Sequence, residues 1–220
     1  MLIFKDSILG LVAGIQLSLN KMLKVGDWIT IKKLDIDGNV EEISLTTVKV
    51  RNFDNTISTI PPYTLVSDTF QNWNAMVTTG ARRIKRTLYI DVQSIRSLSL
   101  PEIEALIAEK LLSQKDITNN TNINLTLYRH HLSELFKKDK DIVQDQWILV
   151  RQLNPTPNGL PLEIWLYTNN TNFVDYEEVA ASRIESMIAL LPTFHLQMFQ
   201  SPTSCLLYTS PSPRDYAASR

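Results

Sequence analysis

The stretch VEEISLTTVKVRN, residues 40–52, holds two apolar alternations that disagree. Ile43 and Leu45 fall on one parity, Val48 and Val50 on the other. A half-buried strand keeps its apolar side chains two residues apart, so a change of parity marks a bulge or a sharp bend. Outward from it, VGDWITIKKL (25–34) reads as a strand and IDGN (36–39) as an Asp-Gly hairpin turn. After the turn NFDN come TISTIP, a Pro-initiated turn or short helix PYTLVSD, and TFQNWN. Several short, bent strands in about fifty residues point to a small β-barrel.

Residues 78–204 read differently. ARRIKRTLYIDV is a strand entered through a basic segment, and Pro101–Leu112 a helix with Ile103, Leu106, Ile107 and Leu111 on one face. Residues 113–145 are polar, with a second helix near Asn124–Lys138. WILVRQL and LPLEIWLYT are strands joined by NPTPNG, Phe173–Leu191 is a helix and FHLQMF a last strand. The order β-α-(α)-β-β-α-β is that of a split-βαβ, ferredoxin-like unit with an insertion. The fold class expected is therefore α+β: an N-terminal helix over residues 1–24, a small β domain over 25–77 and an α+β domain over 78–204. Residues 205–220 (CLLYTSPSPRDYAASR) break off from any periodic pattern and read as an adapter-like, non-native tail.

In the N-terminal helix, Ser7, Gly10 and Gly14 share one face, and Gly10-x-x-x-Gly14 is the small-xxx-small spacing that lets helices approach closely in membranes. Each Gly costs the helix roughly 1 kcal/mol relative to Ala. Ile15, Leu19, Met22 and Leu23 form an apolar stripe, and Lys21 and Lys24 suit a cytoplasmic membrane surface. The same pattern fits a core helix of a soluble domain. A signal peptide fits poorly, because Asp6 spoils the basic leader and no cleavage site follows.

Composition excludes several function classes. The net charge of −1 is wrong for a general nucleic-acid binder. The single cysteine, Cys205, allows neither a disulfide framework nor a Cys-based zinc site. No run of 18 apolar residues is present. No nucleophile elbow, dinucleotide fingerprint, P-loop or zinc-protease motif occurs, so no catalytic, cofactor or metal residue is assigned and an enzyme is not expected. His130 and His131 point about 100° apart on a helix and do not make a metal pair. Glu177, Glu178 and Glu185 read as a solvated helix face, and the N-x-S/T matches at Asn119, Asn124 and Asn169 carry no force without secretion. The basic cluster GARRIKR (Arg82, Arg83, Lys85, Arg86) beside a small barrel leaves an Sm-like RNA-binding or assembly module as an alternative. No aromatic residue interleaves within the cluster, which argues against it.

Taken together, FKDSILGLVAGIQLSLNKMLKVGDWI, LTTVKVRNFDNTISTIPPYTLVSDTFQNW, GARRIKRTLYIDV and VRQLNPTPNGLPLEIWLYT resemble the small-conductance mechanosensitive channel (MscS) superfamily, especially its miniconductance, YbdG-like branch. The resemblance covers residues 1–204. It implies a membrane-tension-gated, homo-oligomeric channel, usually a heptamer, in the bacterial inner membrane, relieving hypoosmotic stress by efflux of ions and small solutes. It implies the lipid bilayer as partner, no cofactor and no nucleic acid. Residues 1–24 would be the C-terminal part of the pore-lining helix, 25–77 an Sm-like domain, and everything from about residue 20 onward cytoplasmic.

Residue by residue, the resemblance places Leu2 at the lower sealing ring of the pore. Lys5 and Asp6 stand near it, where the best-known branch has small or amide residues. Gly14 matches a small residue in the bent cytoplasmic half of the helix, and Gly10 stands where other members carry a polar one. With Ser7 they would pack against, and kink beside, the same helix of a neighbouring subunit, while Lys21 and Lys24 would be interfacial. Residues 113–140 resemble an insertion. The tension-sensing helices of the family would precede Met1, so the chain is expected to be a fragment.

Overall fold

The computed structural model describes residues 5–113 and 122–201, which divide into two compact units after Gly80. In the first unit, helix α1 (Lys5–Leu19) precedes strands β1 (Trp28–Ile31), β2 (Ile36–Ile43), β3 (Val48–Asn52) and β4 (Ile57–Ile60). Helix α2 (Pro62–Ser67), strand β5 (Gln71–Asn72) and helix α3 (Asn74–Thr79) follow. The strands form one antiparallel sheet in the order β4-β3-β2-β1-β5. Among the described residues β4 and β5 do not pair with each other, so the sheet stays open where a closed barrel was expected. Its core is the alternating set Ile29, Ile31, Ile36, Val40, Val48 and Val50, capped by Leu17 of α1 and Leu65 of α2.

The parity change of residues 40–52 has two physical sources. A bulge between Val40 and Glu42 leaves Glu41 outside the ladder with β3. The chain then reverses at Ser44–Thr47, where the Ser44 amide donates to the Thr47 carbonyl at 2.8 Å and the two hydroxyls lie 2.8 Å apart. The long strand is thus a hairpin. The expected Asp-Gly turn at 36–39 is not a turn. The chain reverses earlier, through a 3-10 turn at Lys32–Leu34 closed by Asp35 at φ 52°, a conformation Asp tolerates. Gly38 lies inside β2 because any Cβ there would run into the Arg51 backbone of β3.

The second unit contains β6 (Arg82–Ile90), α4 (Leu100–Ala108), α5 (Asn124–Lys137), β7 (Leu149–Gln152), β8 (Leu160–Thr168) and α6 (Phe173–Leu190). β8 lies between β6 and β7 and is antiparallel to both. FHLQMF does not form the expected last strand. Pro192–Phe194 is a 3-10 turn, His195 sits at φ 55°, and only Met198 bridges to Ile90. The sheet therefore has three strands, not the four of a complete ferredoxin-like unit. Helix α5, inside the segment that resembles an insertion, contributes to the core: Leu125, Tyr128, Leu132 and Phe136 are buried there. The Tyr128 hydroxyl donates to the Met187 carbonyl at 2.6 Å, and burial pushes its pKa up.

Helix α4 starts with a capping box, Ser99 with Glu102. The Arg96 guanidinium, hydrogen-bonded to Glu102 at 2.6 Å, and then the Ser99 amide and hydroxyl, both at 2.8 Å, hold the Glu102 carboxyl far below the usual carboxylate range. A depressed carboxylate pKa stabilises the fold above its unfolded value, 4.5, and that contribution is lost as pH falls through the folded value. Thermal melts from about pH 5 down to about pH 2.5 should therefore decline more steeply for the wild type than for Glu102→Gln. Equal slopes would show that this carboxylate is not coupled to folding.

Candidate functional site

Helix α1 is apolar on nearly every side, and its sides do different things. Gly10, Ala13, Gly14 and Leu17 are buried. An added Cβ at Gly14 would lie 2.6 Å from the Leu45 carbonyl oxygen at the tip of the β2–β3 turn, so the helix backbone rests directly on that turn. Gly10 has nothing within 4 Å of the same position. The opposite side displays Ile8 (59% exposed), Leu11 (41%), Val12 (54%), Ile15 (44%) and Leu19 (76%). These positions run i, i+3, i+4, i+7 and i+11, one continuous apolar face. A face of this kind marks a partner or membrane surface.

The helix runs unbroken through both glycines but stops at Leu19, short of the expected Lys24. Its end is closed by Met22 N–H to the Leu17 carbonyl at 3.3 Å, with Lys21 in the left-handed region at φ 50°. Asp27, 8% exposed, accepts from the Lys24 amide at 3.0 Å and from Asn72 Nδ2 at 2.8 Å, which pins the exit of the helix to β5. Lys21 and Lys24 are exposed beside it. The apolar stripe is split as a result: Ile15, Leu19 and Met22 face outward, while Leu23, beyond the helix end, is buried. Of the pore and packing residues, Leu2 lies outside the described residues, and Lys5, Asp6 and Ser7 form the first turn of α1.

The basic cluster divides by strand parity. Arg82 and Arg86 leave β6 toward α6. Arg82 stacks on Tyr176 at 3.8 Å and is 8% exposed, and this burial lowers its pKa; Arg86 pairs with Glu177 at 3.0 Å. Arg83 and Lys85 leave on the other side and meet Trp165 of β8, at 4.6 and 5.8 Å from its ring centre. The aromatic residue missing from the cluster in sequence is thus supplied across the sheet. The signal was present in LPLEIWLYT, where Glu163, Trp165 and Tyr167 share one parity. No group of His, Cys, Asp and Glu arranged to hold a metal occurs among the described residues. His131 Nδ1 lies 2.6 Å from the Leu111 carbonyl, and Asn124, one of the N-x-S/T asparagines, is fully buried.

Residues 6–75, which hold nearly all of α1 and the antiparallel β domain, match the family model described as the mechanosensitive ion channel β-domain. The chain is 25% identical over 175 residues to an uncharacterized MscS family protein of Aquifex aeolicus, covering 80% of this chain and 39% of that one. It is 28% identical over 133 residues to the small-conductance mechanosensitive channel MscMJ of Methanocaldococcus jannaschii, covering 60% and 34%. The chain is thus similar to proteins of the MscS family. It spans well under half the length of these relatives.

Two solved structures share the fold. The closed-state MscS of Helicobacter pylori matches with a TM-score of 0.62 at 16% identity, over 91% of this chain and 65% of that one. MSL1 of Arabidopsis thaliana matches with a TM-score of 0.65 at 10% identity, over 90% and 60%. None of these similarities supports the RNA-binding alternative. No helix among the described residues is long and apolar enough to cross a membrane.

Proposed function

We propose that this chain forms part of the subunit of a homo-oligomeric channel, of the miniconductance type and heptameric, opened by membrane tension. The observation that carries the reading is the two-sided helix α1: small residues seat it on the β2–β3 turn, and its other face offers five exposed apolar side chains to lipid or to a neighbouring α1. Tension favours whichever state occupies more area in the bilayer, which is a population shift between two conformations. A helix anchored by its own β domain transmits that shift to the cytoplasmic part. Leu2 would belong to the apolar ring sealing the pore, with Lys5 and Asp6 at its mouth, and Lys21 and Lys24 would face the lipid headgroups. In this reading the protein sits in the bacterial inner membrane, residues from about 20 onward are cytoplasmic, and opening releases ions and small solutes under hypoosmotic stress.

The test is electrical. The product of the complete reading frame, reconstituted in giant liposomes, should give stepwise currents when suction is applied to excised patches. Absence of pressure-activated current in repeated patches, with the protein shown to be inserted, would overturn the reading.

A further inference from the structure

The second unit is two-layered, and its two outer faces carry opposite character. On the sheet side, Arg83, Lys85 and Arg151 surround Trp165, with the two guanidinium carbons 4.6 and 5.4 Å and the Lys85 ammonium 5.8 Å from its ring centre. Beneath them Glu163, 2% exposed, accepts from Arg151 Nε at 2.7 Å and lies 3.4 Å from Lys85 Nζ. Three cations face one carboxylate, so the face keeps a surplus of positive charge. Tyr89 (42% exposed) and Leu149 (39%) extend it with apolar surface.

The other outer face is helix α6. Its inner side, with Tyr176, Val179, Ala180 and Met187, is buried, and Arg82 and Arg86 reach it from the opposite side of β6. Its outer side shows Val174 (73% exposed), Glu178, Glu185 and Ile188 (38%), with Asp175 at the first turn. Asp175, Glu178 and Glu185 pair with no cation among the described residues. The one basic residue of α6, Arg183, is engaged with Asp139 and Asp141 at 2.8 Å.

A positive aromatic face and a negative apolar face on opposite sides of one unit are complementary head to tail, but neither is complementary to itself. Such a pair of surfaces generates a heterologous contact, which closes into a ring when successive copies are rotated about one axis. A two-fold dimer would bring like charges together. We propose that the outer sheet face around Trp165 docks on the outer ridge of α6, centred on Glu178 and Glu185, of a second copy of this chain. The proposal rests on the multi-subunit reading above and assigns the surfaces that join the subunits.

Sedimentation velocity of the full chain at low and moderate salt tests it. Arg83→Glu with Lys85→Glu, and separately Glu178→Lys with Glu185→Lys, should each weaken self-association by about tenfold or more, because like charges then face each other. All four changes in one chain should restore it to within about threefold, because the attraction is rebuilt with inverted sign. Circular dichroism melts confirm that each variant is folded. In a Cys205→Ser background, Arg83→Cys with Glu178→Cys should give a disulfide-linked ladder on oxidation, and neither cysteine alone should. Oligomers unaffected by either pair of reversals, or a quadruple variant that fails to recover, would overturn the docking and leave the channel reading standing. A monomeric wild type would also overturn it, with the pressure-clamp experiment deciding the channel reading separately. So would a monomer that uses Arg83 and Trp165 to shift a single-stranded oligo-U probe, which would make this a nucleic-acid face.

Discussion

Gly10→Ala and Gly14→Ala are expected to move stability in opposite directions, although the two glycines look equivalent in sequence. At Gly10 a new methyl meets nothing within 4 Å. Replacing a helical Gly by Ala there should gain about 0.5–1 kcal/mol from backbone entropy. At Gly14 the same methyl would lie 2.6 Å from the Leu45 carbonyl oxygen and 3.2 Å from its carbon. Both are backbone atoms, held by the Ser44–Thr47 reversal, so relief requires α1 or the turn to move. Overpacking of this kind costs about 1–3 kcal/mol, more than the helix gains. Urea titrations should place the two variants on either side of the wild type, and amide exchange should quicken along α1 only for Gly14→Ala. Destabilisation by both, or by neither, would contradict the packing described. Under the proposed channel reading the same split would carry over: Gly10→Leu would alter the opening threshold, whereas Gly14→Leu would undock the helix from the β2–β3 turn.

This contrast shows where the sequence is informative. The small-xxx-small spacing announces a close approach but not the partner. The resemblance to known channels suggests the neighbouring subunit's helix; within the chain, the atom that Gly14 accommodates is the Leu45 carbonyl, thirty-one positions along the sequence. Parity reads more fully. It marks the irregularity in residues 40–52, and it assigns Arg83 and Lys85 to one face and Arg82 and Arg86 to the other.

Turn chemistry misleads at Asp37-Gly38, because a glycine needed for a neighbouring strand looks like a glycine needed for a turn. The last strand fails for a related reason. FHLQMF has strand composition, but Pro192 and the left-handed His195 set its path, and they leave a single bridge to β6. Helix α5 is legible from its period, yet its depth in the core is not, since Arg129, His130, His131, Ser133 and Glu134 stand between its apolar residues. Its burial is decided by Tyr128 and Phe136, which are 0% exposed.

The second large effect is expected at Asn124, the residue whose only visible sequence feature is a glycosylation-type triplet. It is 0% exposed and makes hydrogen bonds in three directions. Its Oδ1 accepts from the Arg96 amide at 3.0 Å and the Leu125 amide at 2.9 Å. Its Nδ2 donates to the Ser94 carbonyl at 2.9 Å and the His195 carbonyl at 3.3 Å. One side chain therefore ties the start of α5 to the loop after β6 and to the turn after α6. Asn124→Ala removes all four bonds and leaves backbone groups of three segments without their partner. Each such group costs about 1–3 kcal/mol when it cannot reach water, so a loss of about 2–4 kcal/mol is expected after relaxation. Asn124→Asp keeps the shape and the two accepted bonds but turns an oxygen toward the Ser94 and His195 carbonyls. At neutral pH it should destabilise at least as strongly as alanine, because a buried carboxylate then faces two acceptors. Recovery on acidification would identify the cause, since a protonated carboxyl can donate to one of those carbonyls. Urea midpoints of the two variants at about pH 7 and about pH 4 decide the matter. If both variants matched the wild type, Asn124 would not be the tie that the geometry makes it.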